Sequence, residues 1–514
     1  MIEPIHRSAL PPADVCQRAL NARDARFDGL FFVGIVTTGV YCRPVCPTRR
    51  ARPANRRFFQ SAAAAERAGY RPCLTCRPEL APGRAPVDAM PRLAQRAAHR
   101  IGAGALNGHT VAELAAEFHV SERHLRRALE RELGVSPVEL AQTHRLLLAK
   151  RLLVDTGLPV TRVAYASGFQ SLRRFNTVFR ERYRLSPSAL RRSMNRNGRA
   201  REPLRRRAGR RAAKRDLLRL TLAYRPPLAW DVLVAFLRRD AIPGVETVQG
   251  ARYARTVQLA GRSGIVVVED AGGATGGTPR GHAGPHLEVG VSPSLLPALM
   301  PLLARLRRLF DLDAEPAVID GCLAQGGLGA LVERRPGVRI PGAFDGFEVA
   351  CRVLLRGRAR PGSGANELAR RFTGAMGEPA ETGYPGLTRF APRADRVAET
   401  RVSSLVKLGL PRRRARALTT IARRVARGEL RLEPGGEVAA ALRGLREIDG
   451  VGDRLATAIV MRALGWPDAF PIPGRGLQRA SGTSTPGRLR ERAESWRPWR
   501  AYAAVHLWLK DGER

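Results

Sequence analysis

The sequence predicts a multidomain α+β protein, and three observations carry that reading. At 514 residues with 44% apolar content, the chain exceeds one hydrophobic core and can fill three or four. Its hydrophobic period changes along the way. It is helical and Arg-rich from 88 to 193, alternating over LRLTLAY (218–224), and helical again from about 320. Five of the seven cysteines fall within the first 80 residues, four of them in two close pairs, marking a small domain with its own chemistry.

Charge narrows the partners. Lys and Arg number 88 against 46 Asp and Glu, a net charge of +42. A GC-rich genome favours Arg over Lys but does not explain a twofold excess of basic over acidic residues, so a polyanion partner is predicted. No window of about 18 apolar residues exists, so no membrane partner is expected. Residues 1–10 lack the apolar core of a signal peptide, and the cysteines do not form a secreted disulfide framework. A cytoplasmic, nucleoid-associated protein is expected, with no small-molecule cofactor.

The first 82 residues contain Cys42-Arg-Pro-Val-Cys46 and, 26 residues later, Cys73-Leu-Thr-Cys76. Two close pairs suit tetrahedral zinc, each pair clamping one edge, and the metal supplies folding energy that a small domain lacks. Arg43, Arg49 and Arg50 stand beside the site as candidate phosphate holders. Four unrelated buried thiols are the bland alternative. The runs DARFDG (24–29), TTGVYCRPVC (37–46) and GYRPCLTCRP (69–78) resemble the zinc domain of Ada proteins. The resemblance implies a small zinc-bound α/β domain. It further implies that Cys42 irreversibly accepts a methyl group from a DNA methylphosphotriester, that Cys46, Cys73 and Cys76 serve as ligands only, and that the methylated protein becomes a transcription activator. A purely structural zinc module is the competing reading.

Residues 88–193 predict an all-α domain with two helix-turn-helix units. In 111–134, Val111, Leu114, Ala115 and Phe118 share a face, Ser121 is a plausible N-cap, and Leu125, Ala128 and Leu129 point inward. Arg123, Arg126 and Arg127 are left for DNA. In 160–183, Gly168 marks the turn, Leu172, Phe175 and Phe179 point inward, and Ser171, Arg173, Arg174 and Thr177 face outward. LERELGVSP (129–137) and FRERYRLSP (179–187) repeat at a distance of 50 residues. The stretch resembles the AraC-type DNA-binding domain, most specifically in ASGFQSLRRFNTVFRERYRLSPSALR. That implies promoter DNA and RNA polymerase as partners. A basic linker is expected over 194–215; from Arg191 to Arg215 there are twelve basic residues against the single acid Glu202.

Residues 216–318 predict an α+β domain. A strand comes first, then a helix at WDVLVAFLRR, two strands around a turn in TVQLAGRSGIVVVED, and one amphipathic helix at LLPALMPLLARLRRLF. A Gly-rich loop spans 271–285. Residues 319–514 predict an all-α domain. YRPPLAWDVLVAFLRRDAIPGVE (224–246) and GVRIPGAFDGFEVACRVLL (337–355) resemble the AlkA family of 3-methyladenine DNA glycosylases. The resemblance implies an AlkA N-terminal-like domain followed by a helix-hairpin-helix glycosylase-like domain. IDGVGDRLATAIVMRALG (448–465) is then the hairpin, with Gly450 and Gly452 letting the backbone approach a DNA phosphate.

The chemistry departs from that family. Where the family places its catalytic Asp, a few residues beyond DAFP, this chain has Gly474, and no acid lies between Ala469 and Arg490. Arg-Gly-Arg-Ala-Arg-Pro (356–361) stands where the family has its wedge turn, and Arg454 where it usually has Trp. The expectation is a methyl-accepting repair protein and activator whose glycosylase-like part binds double-stranded DNA but is catalytically impaired. The alternatives are a bifunctional enzyme that also excises alkylated bases and a non-enzymatic zinc-containing transcription factor.

Overall fold

A computed structural model describes residues 10–83, 92–196, 217–271, 284–356, 365–433, 435–471 and 475–512. The chain forms two compact units. The first comprises 1–226 with 270–304, and the second 227–269 with 305–514. The multidomain α+β expectation holds.

The first unit opens with helix α1 (Ala13–Ala22) and a four-stranded sheet. Its strands are β1 (Phe32–Ile35), β2 (Val40–Cys42), β3 (Arg56–Phe59) and β4 (Arg71–Pro72) in the order β3-β1-β2-β4. β1 is antiparallel to β2 and β3, whereas β2 and β4 run parallel. The β1–β2 turn closes on Gly39 at φ +62°, a left-handed angle that glycine adopts at least cost. Helix α2 (Ala62–Arg67), N-capped by Ser61, leads into β4. Phe32, Tyr41, Ala65 and Tyr70 pack into one small core.

Seven helices follow: α3 (Arg92–Gly102), α4 (Val111–Glu117), α5 (Glu122–Leu133), α6 (Pro137–Asp155), α7 (Val160–Ala166), α8 (Leu172–Tyr183) and α9 (Pro187–Arg196). α4–α5 and α7–α8 are the two expected helix-turn-helix pairs, joined by α6. The internal repeat has a structural meaning. α5 ends on left-handed Gly134 and α8 on left-handed Arg184, and a Ser two residues further on hydrogen-bonds the first turn of α6 or α9. The linker starts later than expected. α9 runs through Arg196 with Met194 buried, because Leu190 and Met194 face the core at helical spacing. Residues 197–216, and with them most of the predicted linker, lie outside the described residues, as do 272–283 of the Gly-rich loop. An antiparallel ladder of Leu218–Ala223 with His286–Val291 completes this unit.

The second unit contains helix Trp230–Asp240 and an antiparallel meander of Glu246–Gln249, Arg252–Leu259 and Arg262–Asp270. The single amphipathic helix expected at LLPALMPLLARLRRLF is instead a 3-10 turn of the first unit, Pro293–Ala298, leading into helix Leu299–Leu309, whose last residues from Arg305 belong to the second. Pro297 has no N–H to donate and interrupts the α pattern. Beyond 320 the unit is helical. Helix Gly346–Arg356 packs against helices Arg412–Ala426 and Asp453–Ala463 through Phe347, Leu354, Leu418, Ile421, Ile459 and Val460. Two turns of one helix also anchor ion pairs: Arg255 donates to Glu348 at 2.7 Å, and Arg352 approaches Glu246 at 2.7 Å.

Candidate metal centre and DNA-reading surfaces

Strand pairing brings the four cysteines together. Cys42 ends β2 opposite Val33, and Cys73 follows β4 with its N–H donating to the Tyr41 carbonyl at 2.9 Å. Cys46 and Cys76 each close a short turn a few residues on. All four are buried, and their sulfurs lie within 4.8 Å of one another. A tetrahedral zinc–thiolate site needs sulfur–sulfur edges of about 3.8 Å, so these residues fit zinc. Four thiols this close cannot share protons evenly. Contacts from Cys42, Cys46 and Cys76 hold Cys73 far below the thiol range, while contacts with Cys46 and Cys73 hold Cys42 far above it. A divalent cation removes that conflict by taking all four as thiolates.

The sulfurs are not equivalent. Arg43 N–H donates to Cys76 Sγ at 3.3 Å and Thr75 N–H to Cys73 Sγ at 3.3 Å. Thr48 Oγ1 lies 3.1 Å from Cys46 Sγ. Among the described residues no N–H or O–H group outside the cluster donates to Cys42 Sγ. Hydrogen bonds spread a thiolate's charge, so Cys42 carries the most electron-rich sulfur.

One sequence expectation fails here. Arg43 is not available to hold a phosphate: it is buried, its Nε donates to Asp28 at 2.8 Å, and its Nη1 donates to the Cys76 carbonyl at 3.1 Å. Burial without a partner carboxylate would be costly, so Asp28 fixes its place. Arg49 and Arg50 are exposed, and Arg50 donates to the Asn21 carbonyl at 2.5 Å.

The second helices of the two helix-turn-helix pairs carry the residues that the sequence assigns to DNA. Arg123, Arg126 and Arg127 on α5 are exposed, with Arg126 paired to Glu122 at 2.6 Å. Arg173, Arg174 and Thr177 on α8 are exposed as well. Ser171 is exposed but serves as the N-cap of α8, accepting from Arg174 N–H at 3.3 Å. In the second unit the hairpin joins helices Val438–Arg446 and Asp453–Ala463. Gly450 sits at φ +92°, while Gly452 has ordinary backbone angles and open space where a Cβ would go. Asp449 and Asp453 pair with Arg413 and Arg446, each at 2.7 Å. Beside the hairpin lies a cavity of about 220 Å³ lined by Val353, Arg454, Leu455, Leu477 and Trp508 among others, with no carboxylate among its described lining residues. Residues 357–361 of the predicted wedge position and Gly474 lie outside the described residues.

Three family models match: the metal-binding domain of Ada over 15–79, a helix-turn-helix domain over 114–193, and the AlkA N-terminal domain over 219–345. A Mycobacterium tuberculosis protein named as a probable bifunctional transcriptional activator/DNA repair enzyme AlkA is 36% identical over 498 residues, covering 96% of this chain and 95% of its own length. The chain belongs to that family of fused activator and DNA repair proteins. Its second half also matches DNA-3-methyladenine glycosylase 2 of Escherichia coli, 34% identical over 295 residues, 57% of this chain and 97% of the relative. Its first part matches AdaA of Bacillus subtilis, a bifunctional transcriptional activator/DNA repair enzyme, 28% identical over 176 residues, 34% of this chain and 80% of the relative. Zinc is thus the cofactor and DNA the partner of this activator–repair fusion. No helix among the described residues is long and apolar enough to cross a membrane.

Within this activator–repair chain, residues that sequence reasoning missed tie the cysteine knuckle to α6. Lys150, fully buried, donates to the Cys73 carbonyl at 2.9 Å and to Glu79 at 2.6 Å. Arg77 makes a bidentate pair with Asp155 at 2.7 and 2.8 Å. Buried Glu66 accepts from Thr143 at 2.9 Å and from Tyr41 at 3.0 Å. A signal was present: Lys150 and Arg151 interrupt an otherwise apolar run of the helix, LLLAKRLLV (146–154).

Proposed function

We propose that Cys42 irreversibly accepts a methyl group from a DNA methylphosphotriester and that the methylated protein activates transcription by recruiting RNA polymerase at its promoters. The observation that carries this is Cys42 Sγ, the one sulfur of the four with no hydrogen-bond donor outside the cluster among the described residues. Zinc held by Cys42, Cys46, Cys73 and Cys76 keeps the sulfurs as thiolates at neutral pH. Cys42 Sγ attacks the methyl carbon; an S–C bond forms as the O–C bond breaks, and the electron pair returns to the phosphate oxygen. No proton moves. The product is a thioether and an ordinary phosphodiester anion, and the protein is used once. Arg123, Arg126 and Arg127 of α5 and Arg173, Arg174 and Thr177 of α8 are proposed to contact promoter DNA, with Ser171 capping α8. The segments 1–82, 88–193, 216–318 and 319–514 are proposed as the working domains, acting in the cytoplasm on the nucleoid.

The glycosylase-like part is proposed to hold DNA through Gly450 and Gly452 with little base excision. Cleaving an N-glycosidic bond requires an anion against the developing sugar cation. The sequence offers Gly474 there, and the nearby cavity has no described lining carboxylate. One acid does abut a lining residue: Asp511 packs against Gly476 and pairs with Arg479 at 3.2 Å. Incubating the zinc-loaded chain with methylated DNA tests both halves. The expected outcome is one added methyl on the Cys42 peptide by mass, with free bases close to background. A protein that stays unmethylated, or that loses nothing on Cys42→Ser, sinks the first half. Release of 3-methyladenine at a rate typical of active glycosylases sinks the second, and Asp511→Asn then identifies whether that acid is responsible.

A further inference from the structure

The first unit holds a cavity of about 350 Å³ that the proposed chemistry does not use. Thr38, Gly39 and Arg71 of the cysteine domain line it together with Gln142 of α6 and Arg182 and Arg184 of α8 and its end. Three guanidiniums, one of them (Arg182) already 3.6 Å from the buried Glu66 carboxylate, face one lining carboxylate, Glu181, which leaves a surplus of one positive charge. Arg182 is partly committed, donating to the Glu66 carbonyl at 2.5 Å. Arg71 and Arg184 have no ion-pair partner among the described residues. No aromatic ring lines the cavity, so nothing there stacks on a base, whereas planar guanidinium forks suit phosphate oxygens.

We propose that this cavity is a phosphate subsite for the DNA strand that is read at Cys42. Its position argues for a backbone phosphodiester over a free ion. Gly39 immediately precedes β2 and Cys42 ends it, three residues on, which is about 10 Å at the rise of a strand. A phosphate neighbouring the methylated one reaches that far. The opposite wall belongs to α8, whose exposed Arg173, Arg174 and Thr177 lie one to three turns earlier on the same helix. The cavity therefore joins the strand that carries the methyl acceptor to a helix that reads a groove. A phosphate seated in it sets the register of the damaged strand against Cys42. The proposal rests on the proposed function for the Cys42 register and for α8 as a DNA-contacting helix.

The test uses the full zinc-loaded chain and duplex DNA with one methylphosphotriester, with affinity measured across a salt series. For the double variant Arg71→Gln/Arg184→Gln, the slope of log affinity on log salt should fall by about two and the affinity near 0.1 M salt by roughly tenfold. Glu181→Gln should move affinity in the opposite direction. Zinc content and helical signal confirm the fold. If the double variant fails to fold, Arg184→Gln alone should lower the slope by about one. An unchanged slope overturns the subsite, and so does inorganic phosphate binding to the DNA-free protein through Arg71 while the DNA slope stays fixed. Intact mass of the wild-type samples separates the two readings: an unmethylated Cys42 refutes methyl acceptance, while the slopes still judge the cavity.

Discussion

At the scale of single residues, two glycines of one hairpin have different jobs. Gly450 is left-handed, and a Cβ there would meet Arg413 O at 3.3 Å. Gly450→Ala is expected to destabilise the second unit by about 1–2 kcal/mol, read as a lower denaturant midpoint. Gly452 has φ −79° with nothing within 4 Å of its Cβ position, so Gly452→Ala should leave that midpoint within about 0.5 kcal/mol. Its methyl would stand where a phosphate approaches, and DNA affinity should drop severalfold. Unaltered affinity in Gly452→Ala removes the hairpin as a phosphate holder. The cysteine set was legible because spacing alone constrains tetrahedral ligands. The ranking of the four sulfurs was not, since two of the three donors are backbone N–H groups, which every residue type carries. Arg43 misled for a related reason: a sequence shows that a guanidinium is near a site, not that Asp28 has already claimed it.

Among the elements, α6 holds the first unit together. Lys150, Glu79, Arg77 and Asp155 form a balanced ionic seam, and removing one partner of such a buried set typically costs about 3–5 kcal/mol. His144 lies on the α3 side of the same helix, where a Cβ on Gly102 would sit 3.5 Å from its ring. Burial pushes its imidazole down to about 4, with neighbouring His99 adding to the effect. A depressed imidazole contributes stability above its unfolded value of about 6.5 and loses it as pH falls toward 4. The full shift corresponds to roughly 3 kcal/mol, and partial exposure of the ring reduces that to about 1–2 kcal/mol. His144→Gln should therefore lose about 1 kcal/mol less than wild type between pH 7 and pH 5 in urea unfolding. Equal losses in both proteins exclude the histidine. Both helix-turn-helix pairs were legible from 3.6-residue periodicity and Ser caps. The seam was not, because periodicity reports which face is buried and not what it is buried against. Pro297 shows the same limit at an element boundary, where an apolar run read as one helix starts as a 3-10 turn.

For the whole molecule, net charge governs how binding is measured. A chain at +42 binds any DNA at low salt, so affinities mean little without the salt concentration. The proposed methylation of Cys42 would remove one negative charge from the site that is proposed to meet the phosphates. Specific affinity should rise by roughly tenfold at low salt, and the gain should shrink as ionic strength increases. Equal affinities of methylated and unmethylated protein at low salt would remove the electrostatic switch. The order of domain types was legible because each carries its own motif, from the paired cysteines to the hairpin glycines. What no motif announced is how far the parts are interchangeable. The ion pairs of Glu66, Arg77 and Glu79 cross from the cysteine domain into α6 and α8. A graft joined near residue 83 whose cysteine domain lacked equivalents of Arg77 and Glu79 would strand Lys150 and Asp155 without counterions. The stretch from α1 through α9 is therefore expected to transplant as one unit, and a chimaera cut inside it must match both sides of the seam.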